Sequence, residues 1–159
     1  FPVHIQTKSA LVTKDIDLLS RFSDAQVMFS IGTLHESERK ILEPGSSPIQ
    51  DRLVAVKRCA EEGLRTAVFF GPVYPTTPKE EIPNILDVIK DSGVQEVWID
   101  RLRLKPGIWE NICTKLREHP DIMRVFSTQV FKDKTYYSII REEILKEAKE
   151  RNLKVIDAF

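Results

Sequence analysis

Cysteine and histidine are scarce in this chain of 159 residues, and neither is grouped. Cys59 and Cys113 lie far apart in segments of helical pattern, which implies two reduced, buried thiols and a cytoplasmic protein rather than a disulfide framework. His4, His35 and His119 stand alone, without the spacing that ligates a metal. No apolar run reaches the ~18 residues of a membrane span, and no signal or transit pattern opens the chain. Excess charge is missing too: 24 Lys and Arg balance 24 Asp and Glu, so nothing draws the whole molecule toward nucleic acid or an anionic surface. Neither a phosphate-cradling G-x-x-x-x-G-K-[ST] loop nor G-x-G-x-x-G or G-x-S-x-G is present.

What is present is one repeated sentence: apolar strand, polar tip, helix, stop. The β-branched and aromatic runs predict strands at Pro2–Thr7, Gln26–Ile31, Thr66–Gly71, Glu96–Arg101, Arg124–Thr128 and Leu153–Ile156. Between them, Ser47-Pro48-Ile49-Gln50 reads as a capping box, with Ile49, Leu53, Val56 and Ala60 following at helical spacing and Gly63 as the stop. Thr77-Pro78-Lys79-Glu80 repeats the device before Ile82, Ile85 and Ile89, with Gly93 as the stop. A last helix is expected from about Tyr136 to Arg151, with Ile140, Ile144 and Ala148 inward and Asn152 as a left-handed cap.

Strands alternating with helices imply βα units and a parallel sheet. With no Gly/Ser linker, residues 1–159 read as a single α/β domain. A closed eight-stranded barrel needs ~250 residues. The pattern therefore leaves two architectures, an open doubly wound sheet or part of a barrel. In both, ligands sit at the C-terminal ends of the strands.

Those ends carry Thr7, Lys8 and Ser9; then Ser30, Gly32 and Thr33; then Gly71, Pro72 and Tyr74; then Asp100, Arg101 and Arg103. Cations, hydroxyls and a glycine with few acids suit a ligand bearing a carboxylate or phosphate and a polyol. They do not suit acid–base hydrolysis, which calls for paired carboxylates or a placed histidine. Solvated lysine, helix capping and surface ion pairs remain the duller readings of Lys8, Ser30 and Arg101.

Five consecutive pieces, "PVHIQTKSALVTKDIDLL", "QVMFSIGTL", "ILEPGSSPIQDRLVAVKRCAEEGL", "TAVFFGPVYP" and "EIPNILDVIKDSGVQEVWIDRLRL", resemble radical S-adenosylmethionine enzymes, in the branch that contains spore photoproduct lyase. The resemblance covers roughly residues 2 to 109. It implies a partial parallel (β/α) barrel, from the third strand onward of a (β/α)6 barrel, with the chain as the C-terminal portion of a larger domain. The family's C-x-x-x-C-x-x-C loop, which holds a [4Fe–4S] cluster, would precede Phe1, and Cys59 and Cys113 are in the wrong elements to replace it. In that family the cofactor's amine and carboxylate chelate the cluster, and a 5′-deoxyadenosyl radical abstracts hydrogen from the substrate.

The resemblance implies that Lys8 neutralises the cofactor carboxylate with Ser9 beside it, and that Ser30, near the Gly32 turn, contacts carboxylate or ribose. It places Gly71 and Pro72 in the adenine region and Arg101 at the sixth strand tip. By itself this chain would be inactive.

Two rival readings stand beside that one. The chain could be a non-catalytic barrel used for binding or assembly, or an unrelated barrel enzyme acting on a phosphorylated small molecule. An open edge at residues 2–7, with apolar Val3 and Ile5, implies pairing with a second copy. Arg101, Arg103 and Lys105 form too small a basic group to argue for nucleic acid as a partner.

Overall fold

The computed structural model covers residues 1–159. Five parallel strands form one sheet: β1 (Val3–Thr7), β2 (Ala25–Ser30), β3 (Arg65–Val73), β4 (Glu96–Arg101) and β5 (Lys154–Asp157). Their spatial order is their chain order, β1-β2-β3-β4-β5. A doubly wound sheet reverses direction at a switch point; this one never does, so the architecture is that of a partial (β/α) barrel.

The helices follow in turn: α1 (Ile16–Leu19), α2 (Glu36–Leu42), α3 (Ile49–Glu61), α4 (Ile82–Asp91), α5 (Ile108–Lys115), α6 (Pro120–Ser127) and α7 (Tyr136–Glu150). None is long and apolar enough to cross a membrane. Alternation along each strand separates two faces. Val27 and Phe29 of β2, Val68 and Phe70 of β3, and Val97 and Ile99 of β4 are wholly buried and join Val56, Ile82, Ile85, Ile89, Ile140 and Ile144 in one core. The alternate positions carry Gln6, Ser30, Trp98 and Asp100, and a hydrogen bond from Gln6 Nε2 to Ser30 Oγ (3.2 Å) spans β1 and β2 on that face.

The expected stripes of α4 and α7 are buried, and Gly63, Gly93 and Asn152 have the positive φ expected of helix stops, 79°, 90° and 53°. Three expectations fail, among them the Thr77 device, since no side chain caps the 3₁₀ turn (Lys79–Glu81) or the helix that follows it. Residues Arg124–Thr128 are not a strand: Pro120 opens α6, the helix runs through Ser127, and its chain continues into a π-turn at Thr128–Lys132. The β-branched and aromatic residues there serve a helix whose inward residue is Phe126. The capping box at Ser47 also fails. Ser47 Oγ accepts the Ala10 N–H instead (3.0 Å), and the Ile49 N–H that opens α3 is taken by Glu36 Oε2 at 3.1 Å. A carboxylate from another helix does the capping.

Candidate functional site at the strand tips

Lys8 follows the last residue of β1. Its backbone carbonyl accepts the Ser47 N–H (3.0 Å), so the loop before α3 pins the strand tip. Its side chain is 40% exposed, and Nζ lies 2.8 Å from Oε1 of Glu43, whose own side chain is only 2% exposed. The same Oε1 accepts the Tyr74 hydroxyl at 2.9 Å. Oε2 is paired with Nη1 of Arg52 at 2.9 Å, and that nitrogen also donates to the backbone carbonyl of Ser30 at 2.7 Å. One buried carboxylate thus ties together the ends of β1, β2 and the stretch following β3.

Burial alone would raise the pKa of Glu43, but the Lys8 hydrogen bond and the charges of Lys8 and Arg52 outweigh it and hold the carboxyl below its usual range. Tyr74 goes the other way: burial, then the neighbouring Glu43 charge, keep its phenol protonated. The Arg52 side chain is fully buried, and its Nε and Nη2 have no hydrogen-bond partner. Arg39 pairs with Glu36 Oε1 at 2.7 Å, and its Nη1 donates to the Ser46 carbonyl at 2.9 Å and to the backbone carbonyl of Glu43 at 3.3 Å, so it joins the same network from the side.

A register shift between Phe70 and Val73 at the end of β3 re-aims the chain, as a bulge does. The Gly71–Pro72 peptide there is cis. Pro72 and Tyr74 turn into a cleft of about 280 Å³, which Lys8 also lines. Across it, α5 presents Ile108, Asn111, Ile112 and Lys115, positions three and four apart on one helix face.

Of the candidate residues, Lys8 and Pro72 meet in this cleft. Ser9, Ser30, Gly32, Gly71 and Arg101 lie outside its lining. Ser9 starts a 3₁₀ turn (Ala10–Asp15), its Oγ accepting the Leu11 N–H. Ser30 is buried on the inner face, its hydroxyl oxygen taking Gln6 and its carbonyl taking Arg52. Gly32 is fixed by contact: a Cβ there would lie 2.7 Å from Tyr74 Cε2 and 3.2 Å from the Pro72 oxygen. A Cβ on Gly71 would lie 2.5 Å from the Phe69 ring. Arg101 is exposed at the tip of β4, and its guanidinium has no partner, whereas Arg103 pairs with Asp100 at 3.1 Å.

Sequence reasoning missed Glu43 and Arg52, and described the tips as poor in acids. The signal for Arg52 was its place on the inward line of α3 with Ile49, Val56 and Cys59, where a cation is costly unless paired. Trp98 donates to Glu96 (2.7 Å) and Trp109 packs edge-on to Phe131 at 4.7 Å, both structural roles. No group of three or more His, Cys, Asp or Glu side chains is arranged to hold a metal.

The fold and this edge define a partial parallel βα barrel whose strand-tip cleft is largely apolar, with Leu42, Leu102 and Phe126 in its lining, and is edged by Lys8 and Lys115. No protein-family model matches the chain. It is 38% identical over 122 residues to an uncharacterized protein of Acidianus two-tailed virus, an alignment covering 68% of this chain and 40% of that one. It is 33% identical over 84 residues to an uncharacterized protein of Methanocaldococcus jannaschii, covering 53% and 29%. The chain thus spans 40% or less of the length of these curated relatives. Among solved structures it is similar to a spore photoproduct lyase double mutant with bound AdoMet and dinucleoside spore photoproduct, with a TM-score of 0.59. A second mutant of that enzyme gives 0.58, and a complex with dinucleoside spore photoproduct 0.54. Each match is 16% identical and covers 83% of this chain and 49% of the other. At that identity the likeness establishes the fold.

Proposed function

We propose that this chain is the C-terminal part of a radical S-adenosylmethionine barrel and holds the carboxylate end of that cofactor at Lys8. The observation that carries the reading is the position of Lys8: a half-exposed ammonium at a strand's C-terminal tip, lining the mouth cleft and anchored from behind. The likeness of the fold to a structure with bound AdoMet supports it.

The residues fit one pole of the cofactor. Lys8 uses one of its three N–H groups on Glu43, which leaves two for a ligand carboxylate in a charge-assisted bond. Ser30 is buried outside the cleft lining and supports the site from behind, through its carbonyl's bond from Arg52. Gly32 allows Tyr74 to press against the turn, and Tyr74 in turn holds Glu43. The residues here do not fit the cluster: Cys59 is buried within α3, where burial raises its pKa to about 11, and Cys113 lies on α5. Cluster ligands would come from the parent protein outside these residues. When bound, the cofactor supplies hydrogen abstraction; the work of Lys8 is to bind and orient one end of it.

The test is anaerobic reconstitution of the parent protein with iron and sulfide. Formation of 5′-deoxyadenosine from S-adenosylmethionine is the expected result. A parent protein without a three-cysteine loop, or with the loop but no such product, contradicts the reading.

A further inference from the structure

We infer that Glu43 is the specificity-determining residue of the Lys8 site, because it sets the site's charge to match a monoanionic carboxylate rather than a phosphate dianion. The inference rests on the reading of Lys8 as an anion-binding residue. Two cations share one carboxylate: Lys8 at 2.8 Å and Arg52 at 2.9 Å from Glu43, which leaves a net charge of +1. Arg39 is matched by Glu36 at 2.7 Å. Lys115 also lines the cleft and adds an exposed charge, but it is common to all the proteins compared below and so does not affect the change from one to the next.

Both oxygens of Glu43 are occupied from within, by Lys8 and Tyr74 on one and Arg52 on the other. No ligand donor can therefore recruit Glu43, and the carboxylate acts on a ligand only through its charge and its hold on Lys8. Its side chain is buried, so that charge is weakly screened. A ligand anion at Lys8 feels attraction from two cations and repulsion from Glu43. Repulsion scales with ligand charge, so it weighs twice as heavily on a dianion. Removing it is expected to shift the preference toward phosphate by roughly ten- to a hundredfold, from the Coulomb energy of one charge about 6 Å away at an effective dielectric between that of water and that of a dry interior.

Arg52 offers the control. Its charge is as buried as that of Glu43, so replacing both residues returns the site to +1. The full chain, labelled with ¹³C at lysine Cε, is titrated with acetate and with inorganic phosphate held as the dianion, at constant ionic strength. The Lys8 signal is the one missing from Lys8→Ala. The expected order is wild type with no preference for phosphate, Glu43→Gln shifted toward phosphate by that factor, and Glu43→Gln/Arg52→Gln back near wild type. A purely structural role would not make selectivity follow net charge and then return. If the acetate-to-phosphate ratio is the same in all three proteins, the inference is overturned while Lys8 stands as an anion site. If neither anion moves the Lys8 signal in wild type, the reading of Lys8 falls and takes the inference with it.

Discussion

The ammonium of Lys8 and the carboxylate of Glu43 meet at 2.8 Å, one side half in water and the other almost wholly out of it. Thirty-five positions apart in sequence, they make the tip of β1 part of a buried network that reaches Arg52, Tyr74 and the carbonyl of Ser30. Cutting that network at Glu43 leaves the fully buried Arg52 guanidinium without a counter-charge. Glu43→Ala is therefore expected to cost about 3–5 kcal/mol in urea unfolding. Tyr74→Phe removes one hydrogen bond to a charged group and should cost about 1.5–3 kcal/mol. Replacing the pair, Glu43→Leu with Arg52→Met, should recover much of the Glu43→Ala loss; a double variant no better than the single one would contradict the buried-charge account.

The pH dependence of stability has a defined sign. The folded pKa of Glu43 lies below its ordinary value of 4.5, so its ionised form is favoured by folding. Its contribution is present above that value and is lost as the pH falls through the folded pKa. The stability gap between wild type and Glu43→Gln should be flat above about pH 5 and shrink below it. Unfolding curves across acid pH check this, and a gap that widens with acid would show the sign to be wrong.

Gly32 and Gly45 make a matched comparison. A Cβ at Gly32 would strike Tyr74 at 2.7 Å and the Pro72 oxygen at 3.2 Å, whereas a Cβ at Gly45 meets nothing within 4 Å. Gly32→Ala should destabilise by roughly 1–3 kcal/mol through overpacking. Gly45→Ala should change stability by less than about 0.5 kcal/mol. Equal losses at both positions would mean that Tyr74 does not pack against the turn.

The two thiols should differ in reactivity. Cys59 has no exposure within α3, and burial lifts its pKa to about 11, so thiolate is scarce. Cys113 on α5 is partly exposed, against the expectation that both thiols are buried. With a thiol-specific reagent, Cys113 is expected to react in the native protein, and Cys59 only on unfolding. Mass spectrometry of peptides from partly labelled protein distinguishes the two.

Much of the architecture was legible because the local signals agreed with one another. Apolar strands, helical stripes and left-handed stops at Gly63, Gly93 and Asn152 all point to repeated βα units. Arg124–Thr128 misled because Val125 and Phe126 suit a strand as well as a helix, and the decisive element was Pro120, a helix-opening residue. The site was legible only in part. Lys8 and Ser30 could be read as strand tips, but the carboxylate that holds Lys8 comes from the end of α2, and the arginine behind it from α3. No local pattern announces a partner that tertiary packing supplies; a charged residue on an inward helical line, as at Arg52, is the one trace it leaves.

The most direct test of the account is equilibrium binding of S-adenosylmethionine to the full chain and to Lys8→Ala, with Arg124→Ala as a surface control whose partner Asp121 is itself exposed. Saturable binding that weakens about tenfold or more in Lys8→Ala, and not in Arg124→Ala, is the predicted result, since a charge-assisted hydrogen bond contributes roughly 1.5–3 kcal/mol. Equal affinity in wild type and Lys8→Ala would contradict it.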